Sequence, residues 1–265
     1  MILTPCFVIK ILIMKTKDIV VGLGEIGGPI LQLLTKAKTV VGYDIKKELM
    51  DEKKFLIHKA LEIDFIHICI PFTKHFVSTV LILVKKFKPK GIVIHSTIEP
   101  NTIKKLQQTL SIPVIYSATR GIHKRMLYDL KRYTKFYAIE KTAPNSKWAT
   151  ETYEKTLAKC GIKTKRISSP ITLELAKIIC DTSYYGWLIT YAQLSNMIAI
   201  NNNVNYDEMW SFADEIHKFL GNRPKMYPGV IRGHCVIPNL DLISDDTLKF
   251  IKTLNDKYMK KIKQK

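Results

Sequence analysis

Over its first 168 residues the chain alternates two kinds of segment: short, uniformly apolar runs, and stretches whose apolar residues recur at helical spacing. Residues 18–22 (DIVVG), TVVGYD (39–44), IDFIHICIP (63–71), GIVIHST (91–97), PVIYSATRG (113–121) and KFYAIE (135–140) read as strands. GLGEIGGPILQLLTKA from Gly22, residues 74–87 and NTIKKLQQTL (101–110) read as helices. One further short unit, WATETYEKTLAKCG plus IKTKRISS, ends the alternation. Strands apolar on both faces, each followed by a helix, predict a mostly parallel sheet covered on both sides.

At Pro170 the pattern changes. ITLELAKIICDTSYYGWLITYAQLSNMIAI is one long helical stretch, apolar around much of its circumference. The remainder, 201–265, reads as helices around one loop, NRPKMYPGVIRGHCVIPNLD. The expected fold class is α/β: an N-terminal domain at 1–168 with a mostly parallel sheet, then an all-α domain at 169–265 built on the long helix. No repeat or low-complexity linker interrupts the chain.

Composition narrows this picture. A chain of 265 residues, 46% hydrophobic and 25% charged, suits an ordinary globular protein, and no run is long enough to span a bilayer. The apolar residues 1–13 lack a charged leader and a cleavage site. They are expected to be an extra strand or an upstream start ahead of Met14, not a secretory signal. Five cysteines (Cys6, Cys69, Cys160, Cys180, Cys235) show neither paired nor zinc-type spacing, which suggests a reduced, cytoplasmic setting. The net charge of +19 favours anionic partners. The lysines are dispersed and no nucleic-acid motif is present, so a solvated basic surface is the preferred reading over nucleic-acid binding.

Gly22-Leu23-Gly24-Glu25-Ile26-Gly27 follows an apolar strand and opens a helix. In that context Gly22 serves a tight turn, Gly24 lets backbone approach a pyrophosphate, and Gly27 lets helix pack on strand. The helix N-terminus offers N–H groups to phosphate. Asp44 ends the next strand, about twenty residues on, where a carboxylate accepts from ribose hydroxyls. The pattern predicts a Rossmann domain and NAD as cofactor, although Lys46 and Lys47 leave room for a phosphate.

Five segments, GLGEIGGP (22–29), ICIPFT (68–73), HSTIEPNT (95–102), ELAKIICDT (174–182) and PGVIRGHCVIP (228–238), stand in an order that resembles the UDP-glucose/GDP-mannose dehydrogenases, within the wider 6-phosphogluconate dehydrogenase-like group. The resemblance implies oxidation of a sugar primary alcohol to an acid with two NAD, through a cysteine thiohemiacetal and thioester. It assigns the nucleophile to Cys235, with Gly233 giving backbone access. Lys177 becomes the oxyanion and proton-transfer residue, and Pro71 and Thr97 flank the cofactor cleft. An i,i+4 salt bridge between Lys177 and Asp181 is the plainer reading of that pair.

The departures from the pattern are specific. Asp181 stands where the family has asparagine, and Asn239 where it has aspartate, an apparent exchange of carboxylate and amide. Thr119 replaces the glutamate that helps water attack the thioester. Arg232 replaces a small residue. The third domain that clamps the nucleotide is missing, so substrate binding would fall to Arg120, Arg125, Arg223, Lys225 or Arg232, or to a partner chain. The resemblance also implies a homodimer through helix 170–200. Three readings remain: a four-electron nucleotide-sugar dehydrogenase; a two-electron hydroxyacid or alcohol dehydrogenase using Lys177 alone; and an NAD-binding regulatory or nucleic-acid-associated protein without turnover.

Overall fold

The computed structural model describes residues 16–220, 228–233, 235–244 and 246–263. Residues 1–13 with Cys6, and the candidate anion-binding residues Arg223 and Lys225, lie outside the described residues.

Seven strands form one sheet: β1 (Lys17–Val21), β2 (Thr39–Tyr43), β3 (Ile63–Ile68), β4 (Gly91–Ile94), β5 (Val114–Tyr116), β6 (Lys135–Ile139) and β7 (Thr164–Arg166). Their spatial order is β2-β1-β3-β4-β5-β6-β7, and every neighbouring pair is parallel except β5 and β6. The antiparallel step was not legible in the apolar pattern, which reports burial and not direction.

Successive side chains in each strand go to opposite faces. Ile19, Val21, Ile66, Ile68, Ile92, Ile94, Val114 and Tyr116 fill one core; Val20, Phe65, Val93, Ile115, Tyr137 and Ile139 fill the other. Helices α1 (Gly27–Leu34), α2 (Glu52–Ile57), α3 (Phe76–Phe87), α4 (Thr102–Thr109), α5 (Met126–Arg132) and α6 (Ser146–Lys159) connect the strands. α3 and α4 supply the first core, and α1, α5 and α6 the second.

A buried polar chain crosses the second core. Lys38 pairs with Asp18 at 2.7 Å, Asp18 faces His67 at 3.3 Å, and His67 meets His95 at 3.0 Å. Burial opposes the Asp18 charge, but the bonds and charges of His67 and Lys38 outweigh it and hold the carboxyl below its ordinary range. Burial, with the charge of Lys135 beside it, keeps His95 neutral by pushing its pKa well down.

The long helical stretch spans α7 (Pro170–Ala176), a π-helical turn (Lys177–Ser183) and α8 (Tyr184–Asn201). Ser169 caps its start, with Pro170 in the first turn. Glu174 ties it to the sheet region: its buried carboxylate accepts the Asn101 and Ile103 N–H groups, at 2.7 and 2.9 Å, at the start of α4. α9 (Tyr206–Ser211), α10 (Asp214–Leu220), α11 (Ile237–Leu240) and α12 (Asp246–Lys263) follow. α12 packs along α8, and Ile231, Val236, Leu240, Leu248 and Ile251 form a third apolar cluster. No helix among the described residues is long and apolar enough to cross a membrane.

Candidate active site

In an open parallel sheet the ligand crevice lies beyond the strand C-termini, where the connections diverge to either side. Here that point is between β1 and β3. Gly22 has φ +84°, and a Cβ there would sit 2.9 Å from the Cys69 carbonyl oxygen. A Cβ on Gly27 would lie 1.6 Å from the Gly22 carbonyl oxygen, so only glycine closes this turn. Gly24 is exposed, and its Cβ would meet nothing within 4 Å.

The reason for glycine at 24 is therefore not internal packing. No side chain caps α1, and within its first turn the Gly28 N–H donates to the Gly24 carbonyl oxygen at 3.0 Å while Pro29 has no N–H. Asp44 accepts from the Leu23 N–H at 2.6 Å and from the Lys46 N–H at 2.9 Å, which fixes the glycine turn against the end of β2. An anionic diphosphate fits this cradle. Ile26 is half-buried against the second core, and Glu25 projects outward. Exposed Pro71 and half-buried Thr97 stand on the loops after β3 and β4, and the Ser96 hydroxyl joins those loops through the Ile70 carbonyl at 2.5 Å.

Beyond β5, Thr119 is buried. Its hydroxyl accepts from the Lys135 ammonium at 2.9 Å, and the same ammonium donates to the Ala118 carbonyl at 3.2 Å. Because β6 runs antiparallel to β5, the first residue of one strand lies beside the end of the other. Burial pulls the Lys135 pKa down to about 7, and the positive charges of Arg120 and Lys177 add to the effect. Arg120 turns away from the crevice in this structure: it donates to the Thr134 carbonyl at 2.6 Å and stacks on Phe136, 4.7 Å from the ring centre. Arg125 pairs with the buried Asp129 at 3.1 Å.

Lys177 and Asp181 both lie in the π-helical turn and form an ion pair with each other. Such a turn widens the helix locally and re-aims its side chains. α11, next to Cys235, packs against it.

Cys235 follows Gly233, whose φ of +81° is the left-handed conformation that glycine adopts without strain. Arg232 and Cys235 are exposed. Asn239 folds back and donates to the Cys235 carbonyl at 2.7 Å. The loop is held from behind by α8 and α12. Asn255 accepts the Ile231 N–H at 2.8 Å and receives the Gln193 amide at 3.0 Å, and Gln193 also donates to the Gly229 carbonyl at 2.7 Å. Gly186 on α8 leaves room for Val236: its Cβ would approach a Val236 methyl to 3.1 Å. In front, His123 Nε2 lies 4.0 Å from Cys235 Sγ, while His123 Nδ1 pairs with Glu25 of the glycine turn at 2.8 Å.

The structure thus links the glycine turn to the Cys235 loop through the Glu25–His123 pair, and α11, next to that loop, to the Lys177–Asp181 turn. Sequence reasoning missed Lys135, His123, Gln193 and Asn255. Lys135 opens an apolar strand just as Lys17 does, and nothing in KFYAIE marks it as buried beside Thr119. Gln193 and Asn255 were detectable in principle, as amides on apolar helix faces. Among the described residues, no group of three His, Cys, Asp or Glu side chains is placed to hold a metal ion.

Fold and crevice together define an α/β protein with a mostly parallel sheet and a glycine turn after its first strand, with a helical part attached. No known family model and no curated protein matches the sequence. Solved structures do match the fold. The UDP-D-ManNAc dehydrogenase of Pyrococcus horikoshii superposes with a TM-score of 0.73 at 17% identity, over 92% of this chain and 69% of that one. The UDP-N-acetyl-mannosamine dehydrogenase of Staphylococcus aureus gives 0.69 at 19% identity, over 93% and 69%. The Mycobacterium tuberculosis 3-hydroxyisobutyrate dehydrogenase gives 0.63 at 14% identity, over 93% of this chain and 94% of that one. At these identities the likeness is one of fold.

Proposed function

We propose that the chain is an NAD-dependent oxidoreductase that converts the primary alcohol of a nucleotide sugar to the acid through Cys235. One observation carries this reading: Cys235 lies beside His123, which pairs with Glu25 of the glycine turn, while the adjoining α11 packs on the Lys177–Asp181 turn. The similarity of fold to nucleotide-sugar dehydrogenases supports the substrate class.

The glycine turn and the uncapped start of α1 would hold the cofactor pyrophosphate, and Asp44 would hold the adenosine ribose. A nicotinamide cofactor bound there would supply the hydride acceptor for both oxidations, alcohol to aldehyde and thiohemiacetal to thioester. Lys177, paired with Asp181, steadies negative charge on the substrate oxygen as its proton leaves. Cys235 Sγ adds to the aldehyde carbon, and the carbonyl oxygen takes up a proton to give a thiohemiacetal. Hydrolysis of the later thioester has no carboxylate at position 119; the Thr119 hydroxyl, held by Lys135, stands there instead.

A second reading, a two-electron hydroxyacid dehydrogenase using Lys177 without Cys235, is supported by the likeness of fold to the 3-hydroxyisobutyrate dehydrogenase. NADH formed per substrate consumed, over a panel of UDP- and GDP-sugars and small hydroxyacids, separates the two. Two NADH per sugar, lost in Cys235→Ala, supports the first reading. One NADH with an active Cys235→Ala variant establishes the second. Binding of NAD without turnover on any substrate would leave a regulatory protein.

A homodimer and a cytoplasmic location belong to the same proposal. Tyr191, Leu194 and Ile198 on α8 stay exposed at helical spacing and offer an apolar face to a second copy.

A further inference from the structure

We propose that Glu25, His123 and Cys235 form a carboxylate–imidazole–thiol relay in which His123 is the base that takes the Cys235 proton. The inference rests on the reading of Cys235 as nucleophile and adds the group that activates it. It also links that activation to the turn that bears the cofactor phosphates.

Three features of geometry carry it. His123 Nδ1 and Glu25 Oε2 are 2.8 Å apart, so the carboxylate fixes the tautomer with hydrogen on Nδ1. Nε2 is then the acceptor, and it is the atom facing Cys235 Sγ at 4.0 Å. The three residues also come from three separate elements: the glycine turn, the loop after β5 and the loop before α11. Each is fixed from behind: by the close fit of Gly22 and Gly27, by the Ile122 N–H bonded to Asp129 at 2.9 Å, and by the Asn255 clip. A base held by a carboxylate and aimed at a thiol is the arrangement that makes a cysteine nucleophilic near neutral pH.

The step balances without further reagents. The S–H bond breaks, its proton goes to His123 Nε2, and the electron pair left on sulfur forms the C–S bond to the aldehyde carbon. The carbonyl π pair moves to oxygen, which receives the proton back from His123. Glu25 touches neither sulfur nor substrate and is a positioning residue. The turn that carries Lys177 and Asp181 packs on α11, and Lys124 and Arg125 neighbour His123 in sequence, so both signs of charge stand near the imidazole.

The test needs neither substrate nor cofactor, so its outcome is independent of which alcohol, if any, is oxidised. The full chain is alkylated with iodoacetamide over pH 5.5–9.5 (about the range iodoacetamide labelling tolerates), and Cys235 is followed by peptide mass spectrometry, apart from the other cysteines. His123→Gln is expected to slow labelling of Cys235 at neutral pH about tenfold or more and to move its pH profile upward. Glu25→Gln should move the profile in the same direction by less, and Glu25→Asp should restore part of it. Free imidazole should partly rescue His123→Ala. His123 is only 22% exposed and Glu25 56%, so the Glu25 pair serves as the second test if the His123 variants fold poorly. A Cys235 profile unchanged in folded His123→Gln, or in Glu25→Gln should the former not fold, overturns the relay.

Discussion

The Lys135 ammonium and the Thr119 hydroxyl, 2.9 Å apart, form a buried pair where β5 ends and β6 begins. Burial holds the lysine pKa down at about 7, against an ordinary 10.5. A group with a depressed pKa binds fewer protons folded than unfolded, so stability rises with pH between those two values, and the full cost is present below the lower one. Lys135→Met is therefore expected to raise stability at pH 7 by about 1–3 kcal/mol and to flatten the dependence between pH 7 and 10. Denaturant titrations at several pH values check this; an unchanged slope would show that Lys135 is not the titrating group.

Gly24 and Gly27 separate ligand binding from folding. Gly27→Ala forces a Cβ into the Gly22 carbonyl and should unfold the turn, with a loss of several kcal/mol, about the scale of severe core overpacking. Gly24→Ala meets nothing within 4 Å, so it should keep the wild-type melting temperature while weakening NADH binding at least about tenfold. NADH fluorescence titration beside a thermal melt distinguishes the two effects.

Asn255 serves three partners at once. Asn255→Ala leaves the Ile231 N–H and C=O and the Gln193 amide to find new ones, at an expected cost of about 1–3 kcal/mol. The Cys235 loop should loosen while the sheet stays intact. Hydrogen exchange measured by mass spectrometry is expected to show faster exchange at 228–240 and none of that change in β1–β4.

Leu194 and Ile198 project from α8 without covering neighbours sufficient to bury them. Charge there should be incompatible with an apolar interface: Leu194→Glu with Ile198→Glu is expected to yield a monomer by light scattering where the parent is a dimer. A parent that is already monomeric at micromolar concentration removes this prediction and the interface together.

The strand pattern was legible because both sheet faces are apolar. Runs such as GIVI and DIVV have no polar alternation to confuse, and Gly22–Gly27 marked the tight turn between β1 and α1. Legibility failed where the information was not periodic. Short helices α2 and α5 carry too few turns to show a period. The antiparallel sense of β6 depends on the path of the chain after Arg120, and that sense alone brings Lys135 to Thr119. His123 reaches Cys235 across more than a hundred residues of sequence, and no local motif encodes such a meeting.

The π-helical turn from Lys177 to Ser183 sets the phase of everything that follows it. Each residue of an ordinary helix advances the face by about 100°, so one residue added within a turn rotates the whole downstream segment by that angle. Gly186 toward Val236 and Gln193 toward Asn255 are correct only on the rotated side. Shortening the turn by one residue would leave α7 anchored through Glu174 but present the wrong face of α8 to the cysteine loop and to α12. The two halves of the long helix are in effect written in different frames, and the residues that switch frame are Lys177 and Asp181.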